Sequence, residues 1–153
     1  MKLGLCTDVN FSNWDNVKLA AECGFQYLEL PVRDIVKLSG DEIESYKEKA
    51  AEFGLPVLSA NGYFPNDLKF VGNNIDLAKI ESYAKKATEK LSKFGIKTAV
   101  FGSGPSRAVP DEFLRETALN QIAKVLGIVN REAMAAFCGD GSRFAVVDEV
   151  LRQ

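Results

Sequence analysis

Two rhythms alternate along this chain. In four segments apolar residues recur every three or four positions: Trp14, Val17 and Ala21; Ile43, Tyr46, Ala50 and Phe53; Leu77, Ile80, Ala84, Ala87, Leu91 and Phe94; and Leu119, Ile122, Leu126 and Val129. That spacing keeps the side chains on one face of a helix, so four amphipathic helices are predicted. In the third, Lys79, Lys85, Lys86 and Lys90 cover the remaining surface. Before and between these segments lie short, nearly unbroken apolar runs at 3–6, 26–31, 56–60 and 97–102, as expected of parallel strands with both faces covered. A fifth run, at 144–151, ends the chain in the same way.

The junctions repeat too. Cys23-Gly24-Phe25, Phe53-Gly54-Leu55 and Phe94-Gly95-Ile96 each follow a helical stripe and precede a strand. Each glycine is placed where a left-handed residue ends a helix. Ser39 and Glu42 have the spacing of a capping box, and Pro110 followed by Asp111 and Glu112 predicts the entry to the fourth helix.

Strand alternating with helix gives an α/β fold around one parallel sheet, either open and doubly wound or curling towards a barrel. Periodicity does not choose between them. No GxGxxG follows the first strand, and Gly102-Ser103-Gly104-Pro105 lacks the Lys-Ser/Thr of a phosphate loop, which weakens the nucleotide-binding versions. The loops at 61–74 and 103–110 are long, and loops after parallel strands are where barrel enzymes build their sites.

With 153 residues, the chain supports one core and one domain. A net charge of −2 offers no surplus of cations for a phosphate backbone, which argues against nucleic acid as a partner. The apolar stretch after Lys2 is too short for a membrane span or a signal peptide, so no membrane partner and a cytoplasmic location are expected. Three cysteines, Cys6, Cys23 and Cys138, show no CxxC spacing and are expected as small buried hydrophobes. Histidine is absent, which removes the commonest general base and metal ligand and leaves carboxylates, amides and hydroxyls for any chemistry.

The polar residues of interest lie at the strand ends. Glu29 sits between Leu28 and Leu30 on a strand expected to be buried, where a carboxylate needs a partner. Asp8, Asn61 and Ser103 follow strands one, three and four and are placed to bond ligand hydroxyls, or equally to form turns. Arg107 could hold a phosphate or carboxylate with its planar fork, a solvated loop arginine being the competing reading. Trp14, Tyr63 and Phe64 could wall a sugar face or pack in the core. In Phe144-Ala145-Val146-Val147-Asp148-Glu149-Val150-Leu151 only one of the two adjacent acids can face inward, and Glu149 is the metal-ligand candidate by position.

Leu3-Gly4-Leu5-Cys6, Gly24-Phe25-Gln26-Tyr27-Leu28-Glu29-Leu30-Pro31, Ala60-Asn61-Gly62-Tyr63-Phe64-Pro65 and Phe101-Gly102-Ser103-Gly104 leading to Arg107 resemble the N-terminal half of the xylose isomerase-like TIM-barrel superfamily, in its sugar phosphate isomerase/epimerase branch. The resemblance covers residues 1–129 and fades over 130–153. It implies a partial (β/α)8 barrel of about four βα units plus a fifth strand, forming a single half-barrel domain at 1–153. It also implies proton transfer beside a sugar carbonyl, a sugar or sugar phosphate ligand, and one divalent cation (Mn, Mg, Co or Zn). Glu149 would be the fifth-strand glutamate, catalytic and metal-binding, although Asp148 and Val150 depart from the family's pattern. Glu29, Asn61, Tyr63, Ser103 and Arg107 would contact substrate. The remaining ligands, a histidine among them, belong to strands six to eight, so the expected protein is a truncated homologue needing a second chain for catalysis. Two further readings stand beside it. One is a non-catalytic half-barrel that binds a small polyol or self-associates into a homo-oligomer through its exposed strand edges. The other is an endonuclease for abasic DNA, disfavoured by the missing histidines and the net negative charge.

Overall fold

A computed structural model describes residues 2–12, 14–137 and 145–147. Five strands, β1 (Gly4–Cys6), β2 (Tyr27–Pro31), β3 (Val57–Asn61), β4 (Thr98–Val100) and β5 (Ala145–Val147), form one sheet in the order β1-β2-β3-β4-β5. Every pairing is parallel. A doubly wound sheet reverses its strand order, whereas this one never does, and that excludes the open alternative. Sequential right-handed crossovers place every helix on the same side of the sheet.

The helices are α1 (Asp15–Glu22), the single turn α2 (Val32–Ile35), α3 (Gly40–Glu52), α4 (Leu77–Phe94) and α5 (Arg115–Phe137), with a 3-10 turn at Gly104–Arg107. Each predicted junction glycine is left-handed, with φ of 85° at Gly24, 70° at Gly54 and 77° at Gly95. The capping box forms in full: the Glu42 N–H donates to Ser39 Oγ at 3.1 Å and the Ser39 N–H to Glu42 Oε2 at 2.7 Å. Those bonds, the backbone one first, hold the Glu42 carboxyl below its usual range. Lys47 and Lys90 reach across to the carbonyls of Lys93 and Leu38, tying α3 and α4 together.

Burial alternates along the strands. Leu28, Leu30, Val57, Ala60, Ala99 and Phe101 face the helices and join one core with Ile43, Tyr46, Ile80, Ala84, Leu91, Val125 and Val129. Tyr27, Glu29, Ser59, Asn61 and Val100, half-buried, take the other face, which no helix covers among the described residues. Between Leu28 and Glu29 the β2–β3 register shifts past Leu58, and this sets Glu29 opposite Ser59 and Pro31 opposite Asn61.

Three expectations are corrected. The fourth helix begins at Arg115, because residues 110–113 close a turn in which the Phe113 N–H donates to Pro110 O and Glu112 has φ 64°. Its stripe is formed in part as expected, with Ile122 and Val129 buried and Leu126 packed against the core, but Ala118, 1% exposed, takes the place of Leu119, 48% exposed, and Val125 is fully buried. Arg131 on α5 pairs with Glu81 on α4. The cysteines differ as well, since Cys6 and Cys23 are exposed thiols at a strand end and a helix end; Cys138 lies outside the described residues. Among the described residues no helix is long and apolar enough to cross a membrane.

Candidate functional site

The strand ends bring together four side chains from three strands. Glu29 on β2 and Ser59 and Asn61 on β3 occupy equivalent positions of the pleat, so all three point from the helix-free face. Ser59 Oγ donates to Glu29 Oε2 at 2.8 Å, and Asn61 Nδ2 donates to Glu29 Oε1 at 2.8 Å. The second Nδ2 hydrogen of Asn61 is directed at Cys6 Sγ on β1, 2.9 Å away. A carboxylate and a thiol flanking one amide nitrogen settle its orientation, with Oδ1 turned away from both.

A half-buried carboxylate is tolerable here because each oxygen holds a donor. An ionised carboxylate has about four lone-pair sites, of which two are used, leaving one on each oxygen. With Asn61 Oδ1 and the lone pairs of Ser59 Oγ, the row presents mainly acceptors. It is therefore matched to a ligand rich in hydroxyl donors.

Of the residues expected to contact substrate, Glu29 and Asn61 meet in this row. Ser59 and Cys6 were missed, although Ser59 shares the strand parity of Asn61 and interrupts an otherwise apolar run. Tyr63 lies elsewhere, and its expected place on the ligand wall is corrected. Its ring is 0% exposed and packs with Phe64, Tyr83 and Phe101 at centroid distances of 5.1–6.4 Å. Burial raises its hydroxyl pKa, and its carbonyl accepts from Tyr83 Oη at 2.9 Å. Phe64 belongs to the same cluster, and Trp14 packs on Tyr46 and Phe53, so all three aromatic residues are core.

Ser103 is also structural. It is left-handed, with φ 51°, and its hydroxyl donates to Phe101 O at 2.6 Å while accepting from the Phe64 N–H at 2.8 Å. It thus fastens the end of β4 to the loop after β3. Arg107 closes the 3-10 turn, half-buried, its N–H bonded to Ser103 O. Asp8 is exposed, and its charge helps burial push the Tyr46 hydroxyl up to about 12.

Among the described residues no group of three His, Cys, Asp or Glu side chains could hold a metal ion. Glu29 and Cys6 are only two candidate ligands, fewer than a cation site needs, even though each Glu29 oxygen keeps one lone pair. The described residues therefore do not fit the divalent cation that the resemblance implies. Glu149 lies outside them.

The fold recurs in solved structures. A D-allulose 3-epimerase from Methylomonas sp., in complex with D-allulose, matches 97% of this chain with a TM-score of 0.67 at 17% identity. A D-psicose 3-epimerase from Clostridium cellulolyticum H10 with D-tagatose matches 87% with a TM-score of 0.60 at 13% identity. A sugar phosphate isomerase/epimerase from Parabacteroides distasonis matches 88% with a TM-score of 0.61 at 16% identity. The fold is half of a TIM barrel. The half-barrel spans about half the length of these proteins, covering 50%, 50% and 48% of them. Its helix-free face corresponds to the interior of a barrel, and the Glu29 row lies at the carboxyl ends of the strands, the end at which barrel enzymes in general build their sites. No protein-family model matches the sequence, and no curated sequence matches it either.

Proposed function

We propose that this half-barrel is part of a sugar isomerase or epimerase system, in which Glu29, Ser59 and Asn61 bind the hydroxyls of a small sugar or sugar phosphate. The observation that carries the reading is the Glu29 carboxylate, held open between Ser59 Oγ and Asn61 Nδ2 in a fold shared with sugar epimerases. Each unused carboxylate lone pair can accept from a sugar hydroxyl, and Asn61 Oδ1 can accept a third. Together these would fix the orientation of a ring or open chain against the strand ends.

Proton transfer beside a carbonyl requires a second acid and, in the family resembled, a divalent cation. Glu149 is our candidate for both duties on this chain. The other acids and a histidine would come from further strands or a second chain, so the 153-residue half-barrel alone is expected to bind rather than turn over sugar. Its two exposed thiols accord with a reducing cytoplasm.

The test is a titration of the full chain with D-allulose, D-tagatose and D-fructose, followed by amide chemical shifts, with and without Mn²⁺. Saturable shifts at residues 29, 59 and 61 are expected, weakened about tenfold in Glu29→Gln, on the scale of one charged hydrogen bond lost. Shifts confined to other surfaces, or none with any of the three sugars, would reject the reading.

A further inference from the structure

We propose that Arg33 selects an anionic sugar, making the ligand a sugar phosphate or sugar acid rather than a neutral sugar; this rests on the sugar-binding reading above. Arg33 follows β2 by two residues, and its Nη1 lies 3.9 Å from where a Cβ on Gly62 would stand. Gly62 is the next residue after Asn61, whose amide holds Glu29. The guanidinium is thus set over bare backbone at the same ends of β2 and β3 that carry the polar row.

The adjacent carboxylate, Asp34, is engaged by Lys37 at 2.7 Å, and among the described residues Arg33 forms no ion pair or hydrogen bond. At the Tyr83 hydroxyl, whose pKa burial raises, the Asp34 charge raises it further and the Arg33 charge acts to lower it. A side chain at Gly62 would project towards the guanidinium; with glycine there, that approach is open to a ligand. The planar fork of arginine binds two oxygens of one phosphate or carboxylate at once. Glu29 and Arg33 then divide the recognition, the first accepting from hydroxyls and the second holding the anion.

The experiment titrates the full chain with D-fructose, D-fructose 6-phosphate, D-gluconate and inorganic phosphate, for wild type, Arg33→Gln and Arg33→Lys. The wild type should bind an anionic sugar at least about tenfold more tightly than D-fructose, as one charge-assisted pair provides. Arg33→Gln should bring that ratio to within about twofold with D-fructose affinity unchanged, and Arg33→Lys should keep part of it. Preference for D-fructose 6-phosphate assigns a phosphate, and preference for D-gluconate a carboxylate. Equal affinity for neutral and anionic sugars, or a preference surviving Arg33→Gln, overturns the proposal. If no sugar binds but inorganic phosphate binds in an Arg33-dependent way, the sugar reading falls and the anion site stands; if phosphate fails as well, both fall.

Discussion

Gln121 and Gly72 exchange two hydrogen bonds, the Gly72 N–H donating to Gln121 Oε1 at 3.0 Å and Gln121 Nε2 to Gly72 O at 2.9 Å. A side-chain amide here imitates a neighbouring strand and pins the loop after β3 to α5. Gln121→Ala leaves a buried glycine with both backbone groups unpaired, which costs about 1–3 kcal/mol. Urea unfolding should show this loss, and hydrogen exchange at Gly72 should accelerate in the variant. An unchanged exchange rate would mean that the clamp is not what orders the loop.

Asn61→Leu removes both donations from Nδ2 while keeping the branched shape of the side chain. One oxygen of Glu29 then loses its partner in a half-buried place, so a destabilisation of about 1–3 kcal/mol is expected, together with weakened sugar binding. Glu29→Gln should cost about 1 kcal/mol or less, because Ser59 Oγ can turn to accept from the new amide. A larger stability loss for Glu29→Gln than for Asn61→Leu contradicts this picture, and thermal melts of the two variants decide it.

Gly4 lies beneath the ring of Tyr27, and a Cβ there would stand 2.2 Å from Tyr27 Cζ. Gly4→Ala must displace that ring from β2, at about 1–3 kcal/mol as overpacking does elsewhere. Tyr27→Ala should restore tolerance of Gly4→Ala, so the double variant should be more stable than the sum of the two single losses predicts.

Acid and alkali should act at different residues. The Glu42 carboxyl is lowered by its bonds to Ser39, so its contribution is full above the unfolded value and is lost as pH falls through the lower folded one. Ser39→Ala should cost about 1 kcal/mol near neutrality and flatten that acidic dependence. The Tyr46 hydroxyl is raised to about 12, chiefly by burial. Its neutral form is favoured by folding, so stability is full below the ordinary tyrosine range and declines as pH rises from about 10 to about 12. Tyr46→Phe should lessen that decline without abolishing it, because burial also raises the Tyr63 and Tyr83 hydroxyls, and the measure is the denaturation midpoint against pH.

What could be read from the sequence was local chemistry. The Ser39–Glu42 box and the left-handed Gly24, Gly54 and Gly95 depend on neighbours a few residues away, and each formed as expected. The stripes of α3 and α4 were also legible, because lysines and glutamates define their opposite faces. On α5, apolar residues flank the true stripe, so period alone could not tell Ala118 from Leu119. Choosing a barrel over an open sheet required knowing which strands pair, information carried by contacts between distant segments. Glu29 and Asn61 stood out as polar residues at strand ends, but Ser59 became visible only when the β2–β3 register set it opposite Glu29. Tyr63 was misplaced because its sequence neighbourhood is a loop, while its ring reaches α4 and Phe101. Arg33 gave no signal at all, since a single helical turn has no period.

The unbroken strand order also bears on how the chain acquires its shape. Each new strand docks beside the one made just before it, and the intervening helix seals that junction, so most closures span one βα unit. Assembly can then follow synthesis from the ribosome, each unit using the previous one as its template, without waiting for a distant partner to appear.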